Sequence, residues 1–165
     1  MTENEKFFAG FVYSAWTGNK CSVPISQEQK QKDLDDLELC AKGEGIFPRR
    51  VLEYPTMFKE YVRNVEKDAR EYVYFEHPRA LMERLKGATE VEKKLGEINC
   101  PVWVCEALNS HQVRHPLGYE VEVKSDFCSF DKGDRVAVHW RYALEKVDKD
   151  FSEKANSDVK RVLEL

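Results

Sequence analysis

The chain lacks any apolar run approaching the roughly 18 residues of a membrane-spanning helix. It also lacks an excess of basic charge: 26 lysines and arginines face 30 aspartates and glutamates, for a formal net charge of −4. That balance argues against the basic face of a general nucleic-acid binder and against a polybasic membrane-surface segment. The opening MTENEKFFAGFVYSAW has no basic segment ahead of its apolar residues and no small-residue cleavage site after them, so no secretory signal is expected. A cytoplasmic location with neither nucleic acid nor membrane as partner is the expectation. The five cysteines (Cys21, Cys40, Cys100, Cys105, Cys128) are odd in number and irregular in spacing, which fits reduced thiols better than a disulfide framework. A glycine-rich phosphate loop, a nucleophile elbow and a Ser/His/Asp set are also missing, which leans the reading away from an enzyme.

What is present divides near residue 98. Lys6 to Trp16 is dense in aromatic and small residues and reads as a buried strand or a short helix. TGNK then reads as a turn. Ser26 with Gln29 predicts a capping box, Leu34, Leu37 and Ala41 follow helical spacing, and KGEG ends that helix. Thr56 is placed to cap a further helix with a stripe of Phe58, Tyr61, Val62, Val65 and Ala69. Helical character returns from about Arg79 to Leu95, broken near Gly87. After Cys100 the pattern becomes extended: PVWV is a short apolar strand, and YEVEVKS alternates with Tyr119, Val121 and Val123 on one face. Asp131 to Asp134 supplies turn chemistry. The next segment alternates Val136, Val138, Trp140 and Tyr142 against Arg135, Ala137, His139 and Arg141. Asp150 with Glu153 predicts the cap of a terminal helix striped by Phe151, Ala155, Val159 and Val162. The expected class is α+β, with a mostly helical region over 1–98 and a small antiparallel β unit with a terminal helix over 99–165.

Three constellations carry possible chemistry. Cys100, Cys105, His111 and His115 are spaced C-x4-C-x5-H-x3-H and offer four zinc ligands, the basis of a zinc-stabilised interaction protein. The gap between the pairs is short for a zinc finger, and two semi-buried cysteines with two loop histidines is the plainer reading. Glu122-x-Lys124 has the residue types of a metal-dependent nuclease strand but no second acidic ligand nearby, so cross-strand charge pairing explains it better. His139 is either a partly exposed histidine among arginines or a ligand and proton handler. The aromatics Phe7, Phe8, Phe11, Tyr13 and Trp16 read first as a core cluster. A small-molecule pocket between the helical and β parts, in a binding protein or an enzyme, is a further alternative.

KGDRVAVHW is similar to the first long strand of FKBP-type prolyl isomerases, but that family needs far more of its domain after the strand than follows here. The longer segment KGDRVAVHWRYALEKVDKDFSEKANSDVKRVLEL resembles the C-terminal half of the small HypC/HupF hydrogenase-assembly chaperones. Gly133, Asp134, Val136, Val138, His139, Tyr142, Ala143, Leu144, Lys146, Val147, Asp148 and the closing VLEL stand at the positions of that pattern. FFAGFVYSAWTGNKC and LELCAKGEGIFPRRVLEYPTMFKEYVRNV look similar to longer uncharacterised proteins with a HupF-like tail. The resemblance implies an OB-like barrel and a non-enzymatic accessory role in maturing nickel–iron hydrogenases, with maturation factors or the large subunit as protein partners. It further implies iron handling, with His139 at the place of the family's strand histidine. The family's cysteine directly after the initiator Met is absent, because position 2 is Thr2; Cys100, which opens the β unit, is the stand-in by sequence order.

Overall fold

The computed structural model describes residues 1–17, 25–54 and 68–165. Cys21, most of the TGNK turn and the predicted Thr56 helix up to Val65 lie outside the described residues. The chain divides into two compact units, Met1–Tyr72 and Val73–Leu165. The composition shift at residue 98 falls where the last helix before the sheet gives way to its first strand.

In the first unit, α1 (Glu3–Thr17) resolves the open choice for Lys6 to Trp16 in favour of helix. Its buried residues run almost unbroken, from Phe7 to Val12 and from Ser14 to Trp16, so the helix is enclosed on nearly every side. A capping box starts it: the Glu5 N–H donates to Thr2 Oγ1 at 3.1 Å, and the Thr2 N–H donates to Glu5 Oε2 at 2.7 Å. Helix α2 (Gln27–Lys42) begins at Ser26, whose side chain accepts from the Gln29 N–H, and ends at Gly43 with φ 87°. The Gln29 side chain does not return to Ser26 but donates to Asp33, so half of the predicted box forms. Asp33 is fully buried yet saturated with donors: Gln29, Arg50 and the Tyr54 hydroxyl all reach its carboxylate. A 3-10 turn, Arg49–Glu53, carries Arg50 to that position.

The second unit is entered through a π-helical stretch, Tyr72–Glu76, that runs into α3 (His77–Leu85). Gly87 at φ 88° makes the predicted break, and α4 (Glu90–Asn99) opens on a full Thr89–Glu92 capping box. Five strands follow: β1 (Trp103–Ala107), β2 (Gln112–Arg114), β3 (Glu120–Glu122), β4 (Arg135–His139) and β5 (Tyr142–Val147). They form one antiparallel sheet in the order β3-β2-β1-β4-β5, which is not closed into a barrel. One isolated parallel bridge, Lys124 to Tyr142, joins the segment after β3 to the start of β5. Trp103, Cys105, Val113, Val136, Val138 and Ala143 share a core with Val159 and Leu163 of α5 (Lys149–Leu163). The cap of α5 is Asp148, whose side chain accepts from the Phe151 N–H, rather than the predicted Asp150.

The alternation predicted from Arg135 through Tyr142 stops three residues early, at His139. His139 and Tyr142 are paired across a two-residue hairpin, and its central residues Trp140 and Arg141 stand at φ 46° and 68°. Both values lie in the left-handed region, the sign pattern of a type I′ turn, where Asn-Gly is the favoured pair. Asn156 of α5 supports the sheet directly: its amide donates to the Val104 carbonyl at 2.8 Å and its oxygen accepts from the Val104 N–H at 3.0 Å.

Candidate metal centre

Three elements of the second unit converge on one point. His77 is the first residue of α3, Cys100 caps the end of α4, and His139 is the last residue of β4. Each offers a donor atom, and the three donor atoms lie within 4.8 Å of one another. His77 and His139 are buried, at 3% and 1% exposed, and Cys100 is half-buried. His139 is thus no surface histidine among arginines. Since Val136 and Val138 belong to the core cluster, the pleat puts His139 on the opposite side of β4.

The Cys100 Sγ is 3.6 Å from His77 Nε2, and that nitrogen is 3.3 Å from the Cys100 carbonyl oxygen. A tetrahedral ion with bonds of about 2.3 Å to sulfur and about 2.05 Å to nitrogen holds those two donors about 3.6 Å apart. The observed separation already has that value. Burial pushes the His77 imidazole down to about 4, against a partial opposing effect of the Cys100 carbonyl, so the ring is neutral at neutral pH. Nε2 serves as a ligand in the tautomer that carries its proton on Nδ1, in which it no longer donates to that carbonyl. Two imidazoles and a thiolate suit late first-row divalent ions such as iron and zinc. Three protein donors leave a fourth tetrahedral position for an exogenous group.

The structure brings the expected Cys100 and His139 together and adds His77, which the sequence reading missed. It does not gather the four-residue zinc set. Cys105 faces the core from β1, and burial raises its thiol to about 12. His111 is exposed, its N–H held by Asn109 Oδ1 at 3.0 Å. His115 stacks on Tyr119 with ring centroids 4.4 Å apart. Cys100 caps α4 and Cys105 sits inside β1, so the two thiols belong to different elements, and only Cys100 joins the cluster with His77 and His139. Glu122-x-Lys124 likewise forms no carboxylate site; Glu122 is exposed, and Lys124 donates to the Tyr142 hydroxyl at 3.0 Å.

His77 stands 23 residues before Cys100 and 62 before His139, on a helix start following a π-helical stretch. Such stretches recur at functional sites, but their backbone pattern has no side-chain signature to read in advance. No family model, curated protein or solved structure significantly matches this chain. Among the described residues, no helix is long and apolar enough to cross a membrane.

Proposed function

We propose that the second unit is a metal-handling module, and that the chain acts as a non-enzymatic accessory factor in metal-centre assembly, as the HypC/HupF resemblance implies for nickel–iron hydrogenase maturation. The observation that carries this reading is the convergence of His77, Cys100 and His139, with a sulfur-to-nitrogen separation suited to one tetrahedral ion. Iron is the cargo in this reading, held for transfer to a protein partner in the cytoplasm. Cys100 takes the part of the thiol that the family carries at its second residue, and His77 supplies a further imidazole. The Lys124–Tyr142 bridge, at which the two sheet edges approach, supports an OB-like tendency of the fold.

A half-buried thiol and an open coordination position suit a carrier, since a structural ion is usually enclosed by four protein ligands. Anaerobic titration of the purified chain with Fe²⁺ is expected to give one bound ion per molecule. Cys100→Ala, His139→Ala and His77→Ala should each remove it. Equal iron binding by all three variants would end the proposal.

A further inference from the structure

A cavity of about 450 Å³ lies within the second unit, lined by sheet residues, the end of α4 and the β4–β5 hairpin. It is separate in its lining from His77, Cys100 and His139, none of which contributes to it. That volume lies in the range of small-molecule sites. Trp103, Tyr119 and Trp140 supply aromatic walls.

His115 gives the cavity a polar group that the protein itself leaves unused. It is 5% exposed, and its Nδ1 accepts the Leu117 N–H at 3.1 Å, which places the ring proton on Nε2. Among the described residues, Nε2 has no hydrogen-bond partner. Burial holds this imidazole down to about 4, so it offers a neutral N–H donor. A buried donor without an acceptor costs about 1–3 kcal/mol, a cost that a ligand acceptor removes.

Two opposite charges complete the lining. Arg141 and Glu122 are both exposed, and neither makes an ion pair with another described residue. The neighbouring Glu120, by contrast, is engaged by Gln112 and Arg114. Arg141 is carried there by a turn that holds both it and Trp140 at positive φ, a conformation unfavourable for either residue. The hairpin thus sacrifices backbone comfort at two residues that face the cavity.

We propose that this cavity binds a small aromatic zwitterion of the free aromatic amino acid class. The ring lies between the aromatic walls, a ring hydroxyl or other acceptor receives the His115 N–H, the carboxylate meets Arg141, and the ammonium meets Glu122. This inference stands apart from metal handling, because it uses none of the same side chains.

The test is calorimetric titration of the 165-residue chain with L-tyrosine, tyramine and 3-(4-hydroxyphenyl)propionate as probes. L-Tyrosine is expected to bind one to one, and each analogue about tenfold more weakly, as for the loss of one charge-assisted hydrogen bond. Arg141→Gln should weaken L-tyrosine and the propionate about tenfold and leave tyramine unchanged; Glu122→Gln should do the reverse for the two analogues. His115→Asn keeps an acceptor for the Leu117 N–H while moving the remaining N–H donors away from the place of Nε2, and should weaken all three probes. No binding of L-tyrosine to the native chain, or the same affinities in the two surface variants, would overturn the proposal. Both surface substitutions lie on exposed side chains, so the result does not depend on how well His115→Asn folds.

Discussion

Replacing Arg141 by glycine should stabilise the protein while weakening it as a binder. Arg141 stands at φ 68° beside Trp140 at φ 46°. An L-residue in the left-handed region costs about 1–2 kcal/mol, a penalty glycine does not carry. Glycine returns about 0.5–1 kcal/mol of that through the greater freedom of the unfolded chain. The Arg141 side chain is exposed and makes no ion pair among the described residues, so its removal takes away little else. The expected net gain is about 0.5–1 kcal/mol, or roughly 3–6 °C in Tm for a cooperative unit of this size. Thermal unfolding followed by circular dichroism measures it. Arg141→Ala is the control, because alanine keeps the backbone penalty and should show no such gain. A glycine variant that melts at or below the native temperature would refute the strain argument. A stabilised variant that has lost affinity for L-tyrosine would show the turn's conformation retained for function at the expense of stability.

Asn156→Ala should destabilise by about 2–3 kcal/mol in urea titration, since it leaves both the N–H and the carbonyl of Val104 without their α5 partner. Asp33→Ala should cost about 1–3 kcal/mol, because Gln29 and the Tyr54 hydroxyl lose their buried acceptor while Arg50 keeps Asp36; a change below about 0.5 kcal/mol would contradict the role given to that carboxylate. His77 and His115 are both held down to about 4 by burial, so the unfolded chain takes up their protons first as pH falls. Stability from these groups is complete above about pH 6.5 and declines towards pH 4, by up to ~3 kcal/mol for each histidine. Urea unfolding at a series of pH values tests this, and His115→Asn should flatten the slope.

Local chemistry in the sequence read well where one residue dictates one backbone state. Ser26 and Gly43 bound α2, Gly87 breaks the helical run, and Gly133 at φ 94° makes the turn before β4. The strands failed where tertiary context overrides pattern. Strict alternation runs straight through Trp140 and Arg141, and neither residue announces a left-handed turn, so one predicted strand is in fact a hairpin. The three-residue β2 is too short to show a period. The cap shifted from Asp150 to Asp148 because both residues have the right side chain, and only the approach of the chain from β5 decides between them. At the candidate centre, His139 was singled out by its place in an ordered resemblance and Cys100 only as a stand-in by sequence order, whereas His77 was not singled out at all. Its place beside them depends on the packing of α3, and no spacing rule spans the distance.

The central claim is that His77, Cys100 and His139 hold one metal ion together, and Co²⁺ titration followed by visible absorption tests it most directly. The predicted result is saturation at one equivalent, with the intense visible bands of a tetrahedral site and a thiolate-to-metal band in the near ultraviolet. Cys100→Ser should abolish the thiolate band, and His77→Ala or His139→Ala should weaken binding at least tenfold, as expected for loss of a direct ligand. Pale octahedral spectra with the native chain, or a thiolate band that survives in Cys100→Ser, would contradict the account.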